Sequence, residues 1–211
     1  MTTDPRVELV ARGYDEIADR FATWREAIVG DPTDRYLAEL GRRLAPGARV
    51  LELDCGNGAA ATRALSARYR VTAVDASPAQ VERARRAAPG AEVVEGDLLA
   101  IQCEPGSFDA VCAFNVLNHV PRERLGELLD GIAVWLDAGG LLVASFGTGD
   151  LEGWTGRWLG TETFFSSWPP DVNRSLVEAA GLEVVSDELV TLVEGEPEPG
   201  EVTFQWILAR R

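Results

Sequence analysis

The chain contains no lysine: all 20 of its basic residues are arginine. That removes a Walker-type phosphate lysine, a Schiff-base lysine and a lysine general base in one step. Histidine is nearly as scarce. His119 stands alone, so no multi-histidine metal site can form, and no metal is expected. The three cysteines, Cys55, Cys103 and Cys112, are odd in number and far apart, which points to a reduced chain in the cytoplasm rather than a disulfide framework. No basic, apolar leader opens the sequence and no apolar run is long enough for a bilayer, so no membrane partner is expected. Positive charge is also short. Thirty-four acidic residues leave a net charge of -14, which repels nucleic acid and anionic membranes. At 211 residues without internal repeats, one domain is expected, as a monomer or homodimer.

What is present centres on Val50 to Ala61, VLELDCGNGAAA. Val50, Leu51 and Leu53 suit a buried strand, Gly56 and Gly58 allow a tight turn with close backbone approach, and Ala59 to Tyr69 reads as a helix. Strand, glycine turn, helix is how α/β proteins present backbone N–H groups to a nucleotide-like ligand. Glu52 inside the strand would repel phosphate, and suits a ligand offering a cation or hydroxyls. Further on, Arg70 to Asp75 reads as a second strand, with Asp75 at its carboxyl end, 17 residues beyond Gly58. A carboxylate there can bind a ribose diol, in a nicotinamide enzyme as well as in other nucleoside-cofactor proteins. Gly56, Gly58 and Ala61 also satisfy G-x-G-x-x-A, which keeps the nicotinamide alternative open.

The segment resembles motif I of the class I S-adenosylmethionine-dependent methyltransferases, small-molecule type, in which an acid precedes three alternating glycines. Glu52 supplies the acid and Gly56 and Gly58 the last two glycines. Asp54 occupies the first glycine position, a departure from the family. The resemblance extends over residues 13 to 209. It implies cofactor contacts from Glu52, Asp54, Gly56 and Gly58, and from Asp75 with Ala76 after it. Asp97 and Leu98, after a third strand at Ala91 to Asp97, match a signature that meets adenine, although a turn aspartate can also cap its own backbone. Ser107 to Phe114 is expected as the fourth strand. Asn115 to His119 follows at its carboxyl end, which implies a cofactor contact from Asn115. His119 is the only side chain that ordinarily titrates near neutrality, which makes it the candidate base; a histidine there can equally hold the loop. A helix from Pro121 and a strand after Gly139-Gly140 complete the pattern.

The resemblance implies a helical cap over residues 1–45, a cofactor-binding core over 46–147, an acceptor or lid segment over 148–170 and a closing helix and strand pair over 171–211. Residues 5 to 27 read as a helix with a rough apolar stripe interrupted at Gly13. Its Tyr14 is implied near the methionine end of the cofactor, or else packs the cap on the core. Between Gly147 and Pro170, Trp154, Trp158, Phe164, Phe165 and Trp168 crowd a loop-like stretch and are expected to line an acceptor pocket or lid. Leu182 to Val193 and Val202 to Ala209 alternate like paired strands, joined by the acidic loop GEPEPGE, expected to be solvated and mobile. The implied fold is a doubly wound, Rossmann-like α/β sheet of seven mostly parallel strands with an antiparallel C-terminal strand and helices on both faces. The implied function is methyl transfer from S-adenosyl-L-methionine to a small-molecule acceptor. Binding of that cofactor without methyl transfer is the alternative that Asp54 keeps open.

Overall fold

The computed structural model describes residues 4–196 and 199–211. The expected mobility of GEPEPGE falls partly on Pro197 and Glu198, outside the described residues. Helix α1 (Pro5–Glu26) starts where Asp4 accepts the Arg6 N–H at 2.9 Å and Pro5 occupies the first turn. There follow α2 (Thr33–Arg43), β1 (Arg49–Leu53), α3 (Ala61–Ser66), β2 (Arg70–Asp75), α4 (Pro78–Ala87), β3 (Glu92–Glu95) and β4 (Phe108–Ala113). Two short 3-10 turns, Leu117–His119 and Arg122–Arg124, lead into α5 (Leu125–Trp135). The rest is β5 (Leu136–Gly147), β6 (Leu151–Trp158), β7 (Thr161–Ser167), α6 (Pro170–Ala179), β8 (Glu183–Glu194) and β9 (Gly200–Arg210).

Seven strands form one sheet in the order β3-β2-β1-β4-β5-β9-β8. Neighbours are parallel from β3 to β5, and β9 runs antiparallel to both β5 and β8. Strand alternation sends Leu51, Leu53, Val111 and Leu142 to a core with α5 and α6, and Val50, Val71, Cys112 and Val143 to a core with α2, α3 and α4. Covering both faces is what a parallel sheet requires, and it explains why Val50 to Leu53 are all buried. The winding reverses between β1 and β4, and their carboxyl ends open a crevice at that point.

Three local readings are corrected. The stripe of α1 is not interrupted at Gly13: the helix is continuous, and Gly13 lies so close to β7 that an added Cβ would come within 2.7 Å of the Glu162 carbonyl. Strand β5 starts before Gly139-Gly140. It pairs Leu136 with Phe108, then bulges before Leu141 meets Ala110, with Gly139 at φ +78°. The 148–170 segment is no loop but an antiparallel hairpin, β6–β7, outside the main sheet. Its turn places Leu159 at φ +48° and Gly160 at φ +85°, the twist that two-residue hairpins favour. The usual Asn-Gly or Asp-Gly signal is replaced here by Leu-Gly, whose leucine is buried beside Ile17 and Trp24.

Helix α1 lies across the crevice and is tied on both sides. Asp15 accepts from the Ser77 hydroxyl and, at 3.0 Å, from the Ala79 N–H at the start of α4. Glu16 accepts from the Thr161 hydroxyl at 2.6 Å, and Arg20 donates to the Leu159 carbonyl of the hairpin. Arg83 of α4 pairs with Asp19 at 2.9 Å.

Candidate active site

The turn after β1 is built from backbone that few residues accept. Asp54, Gly56 and Gly58 have φ of +59°, +54° and +68°. At Gly58 a Cβ would lie 2.8 Å from the Ala84 Cα of α4, so only glycine lets the turn sit on that helix. At Gly56 it would meet nothing within 4 Å, so this glycine faces open space where a ligand can approach the backbone. Asp75 ends β2 beside it. Its Oδ2 accepts from the Gly56 N–H and its Oδ1 from the Ser77 N–H, both at 2.8 Å, which fixes the carboxylate while leaving lone pairs for hydroxyls.

Three carboxylates converge here. Glu52 is 3% exposed and its Oε2 has no hydrogen-bond partner. Burial foremost pushes its pKa up to about 8, with the charge of Asp75 adding and the nearby Thr62 hydroxyl pulling the other way. Asp54 is held well above the carboxylate range by burial, then by Asp75 and Glu52. Asp75 is raised by burial too, although the N–H groups of Ser77 and Gly56 favour its ionised form. Such a trio is stable as anions only when a cation arrives among them.

Two cavities meet at this end of the sheet. The smaller, about 30 Å³, is bordered by Val7, Asp54, Asp75, Ala76 and Leu98 among others. The larger, about 520 Å³, lies between α1, the hairpin and the ends of β8 and β9. Among the described residues, only Tyr14 and His119 border both. The Tyr14 hydroxyl is 2.9 Å from His119 Nε2, and His119 Nδ1 is 2.8 Å from the Phe164 carbonyl oxygen. A carbonyl can only accept, so Nδ1 carries the proton and Nε2 accepts from Tyr14. Burial lowers the His119 pKa to about 4, against the pull of the Phe164 carbonyl, and raises that of Tyr14. Both groups are therefore neutral at neutral pH and both imidazole nitrogens are engaged. The arrangement gives the loop-holding reading of His119 its support and leaves the base reading without a free lone pair.

The remaining expected site residues divide. Trp158 and Phe165 border the larger cavity. Phe164 does not border it: the ring is buried, with the Arg6 guanidinium over it. Trp154 is 42% exposed and stacks on Phe165 from outside. Trp168 packs against Arg122 instead, donating from Nε1 to its carbonyl at 3.0 Å. Asn115, at φ +56°, borders the larger cavity rather than the smaller. Asp97 accepts from the Leu99 N–H at 2.8 Å, the turn-capping role, while Gly96, Leu98 and Leu99 line the smaller cavity. Phe21 and Trp24 of α1 and Glu201 and Thr203 of β9 also border the larger cavity, unanticipated from the sequence. Phe21 and Trp24 were detectable: they lie seven and ten residues after Tyr14, on the same helical face.

A glycine turn, a fixed carboxylate at the end of β2 and a cavity at the switch point define a Rossmann-like nucleoside-cofactor site. A family profile described as a methyltransferase domain matches residues 50–140. The chain is 29% identical over 181 residues to the demethylmenaquinone methyltransferase of Renibacterium salmoninarum, across 82% of this chain and 72% of that protein. It is 40% identical over 117 residues to the carboxy-S-adenosyl-L-methionine synthase of Salmonella paratyphi B, across 49% of this chain and only 45% of that one. The solved DhpI–S-adenosylhomocysteine complex shares the fold at a TM-score of 0.75 and 24% identity, covering 99% of this chain and 98% of that one. Residues 50–140 form a methyltransferase domain, the chain is similar to class I S-adenosylmethionine-dependent methyltransferases, and its cofactor is S-adenosylmethionine. The residues present fit that group: an unpartnered buried Glu52 oxygen and two further carboxylates match a ligand bearing sulfonium and ammonium charges. No helix among the described residues is long and apolar enough to cross a membrane.

Proposed function

We propose that this methyltransferase acts on a small-molecule acceptor held in the larger cavity. The observation that carries the reading is the junction: among the described residues, two cavities of different character share Tyr14 and His119 alone. Asp75, fixed by two N–H groups, would hold the ribose; Glu52 and Asp54 would face the cationic end; Leu98 would cover the base. Asp97 would accept from the adenine amine through the oxygen that does not cap the turn. S-adenosylmethionine, when bound, supplies an already activated methyl group. The chain's contribution is then to align the acceptor and exclude water, and alignment alone can lower a barrier by up to about 7–11 kcal/mol. Phe21, Trp24, Trp158 and Phe165 give the acceptor an apolar enclosure of a size suited to a small organic molecule. The relative named as a demethylmenaquinone methyltransferase is named for a low-molecular-weight acceptor rather than for a protein or nucleic acid.

The test is incubation of the protein with S-adenosylmethionine and a metabolite extract, followed by mass spectrometry. A product one methylene heavier than a metabolite consumed, with stoichiometric S-adenosylhomocysteine, is expected. Methylation confined to protein or nucleic acid would overturn the small-molecule reading. Other chemistry on the bound cofactor is a second reading, which Asp54 in the motif and the similarity to carboxy-S-adenosyl-L-methionine synthase favour. Consumption of S-adenosylmethionine without S-adenosylhomocysteine would select it.

A further inference from the structure

The larger cavity has the wrong chemistry for an anion and the right chemistry for a nascent cation. Several of its aromatic walls meet edge to face, while Phe21 and Trp24 lie at 32° to each other. Trp158 is edge-on to Trp24, with centroids 4.9 Å apart at 87°, and to Phe165, at 5.7 Å and 90°. Phe21 stands at 61° to Trp158, and Tyr14 edge-on to Phe21 at 86°. Perpendicular rings form corners, and a corner presents an electron-rich face to the space it encloses. That is the construction by which proteins hold substituted ammonium groups. The charged side chains on the wall are Arg25, Glu194 and Glu201. Counted formally, one arginine, which also pairs with Asp31, stands against two glutamates, on a chain of net charge -14. The polar atoms that remain include acceptors beside the unpartnered Trp24 Nε1–H donor. Asn118 Oδ1 is buried without a partner, and the Tyr14 oxygen keeps lone pairs after donating to His119. Such atoms match N–H donors.

The junction carries a second argument. With Nδ1 donating to Phe164 and Nε2 accepting from Tyr14, His119 has no site left for an acceptor's proton. An alcohol would have to be deprotonated before or during attack. An amine needs no base at the site: it loses its ammonium proton to water before binding as the free base, its lone pair is then available, and any further N–H proton is shed after transfer.

We propose that the acceptor is an amine, bound neutral and converted to an ammonium ion within the aromatic corner. The inference rests on the reading that the larger cavity takes the acceptor. The nitrogen lone pair forms the new N–C bond as the methyl's bond to sulfur breaks and sulfur keeps that electron pair. The nitrogen becomes cationic, and an N–H proton, where one remains, leaves to water. The aromatic faces stabilise charge that grows on nitrogen during transfer, so their effect is larger in the transition state than in the ground state. Tyr14 and Asn118 act as positioning residues by accepting N–H hydrogens.

The test separates binding from turnover. With the protein saturated in S-adenosylhomocysteine, tryptophan fluorescence is titrated with trimethyl(2-phenylethyl)ammonium and with its neutral isostere, (3,3-dimethylbutyl)benzene. The ammonium should bind at least about tenfold more tightly. Trp158→Leu should remove most of that preference while leaving S-adenosylhomocysteine affinity within twofold; Phe165→Leu serves if Trp158→Leu does not fold. An affinity for the ammonium no greater than for the isostere, including no measurable binding of either, overturns the proposal. In turnover, 2-phenylethylamine should outperform 2-phenylethanol. Methylation of the alcohol alone would overturn the amine assignment and leave the small-molecule reading standing. Variants that lose S-adenosylhomocysteine affinity and keep the ammonium preference would overturn the cavity assignment itself.

Discussion

Replacing Glu52 with glutamine should stabilise the cofactor-free protein, and by an amount that depends on pH. The side chain is 3% exposed with one oxygen unpartnered, and burial lifts its pKa from 4.5 to about 8. A raised carboxylate favours the folded state fully below its unfolded pKa. It loses that advantage as pH climbs through the folded value, because the unfolded chain can ionise and the folded one resists. Between pH 5 and pH 8 the two values imply a loss of roughly 3–4 kcal/mol from this one group. Glu52→Gln cannot ionise and escapes it. Urea unfolding at pH 5 should give variant and native stabilities within about 1 kcal/mol of each other, and at pH 8 the variant should be the more stable by a few kcal/mol. The cofactor reverses the ranking. Cationic S-adenosylmethionine should protect the native protein more at pH 8 than at pH 5, and protect Glu52→Gln less than the native protein at pH 8. A pH-independent difference between native and variant would refute the reasoning, since it would show that Glu52 does not titrate between its unfolded value and 8.

Asp75→Ala should weaken S-adenosylhomocysteine binding by at least about tenfold in calorimetry, since the proposed ribose contact and the Gly56 and Ser77 clamps would be lost together. An unchanged dissociation constant would remove the ribose assignment. Asp54→Gly should raise the melting temperature, because glycine accepts φ +59° without cost and a buried carboxylate disappears. It should also weaken S-adenosylhomocysteine while sparing methylthioadenosine, which lacks the amino-acid portion; equal losses for both ligands would place Asp54 away from the ammonium. Gly13→Val should push α1 off β7, weakening cofactor and acceptor binding together with little change in helix content by circular dichroism. Separate effects on the two ligands would show that α1 docks elsewhere.

Much of the sheet was legible because its signals are local. The run Val50 to Leu53 announces a strand buried on both faces, and the two glycines after it announce the turn. Pro5, Pro78 and Pro170, each in a helix first turn, mark where α1, α4 and α6 begin. The hairpin was not legible, since its glycines dilute the β-forming Trp, Thr and Phe residues and its turn carries leucine at a position usually given to asparagine or aspartate. Nor could sequence divide the aromatics. Trp158 and Trp168 look alike in composition, and only the pairing of β6 with β7 aims one at the cavity while Arg122 captures the other. The engagement of His119 was equally hidden, because Tyr14 lies 105 residues away and the Phe164 carbonyl belongs to a strand the sequence did not announce.

The way α1 is fastened has a kinetic corollary. The helix is clasped to α4 by Asp15 and Asp19 and to the hairpin by Glu16 and Arg20, and beneath it the smaller cavity has only about 30 Å³. Val7, Val10, Ala11 and Tyr14 of this helix wall that cavity, so loosening the clasps widens the way in for the cofactor. The same helix supplies Tyr14, Phe21 and Trp24 to the other cavity. Opening it for one ligand dismantles the enclosure of the other. An acceptor with several methylatable positions would be set free after each turnover, so repeated modification would proceed distributively, with singly methylated product accumulating before any doubly methylated one.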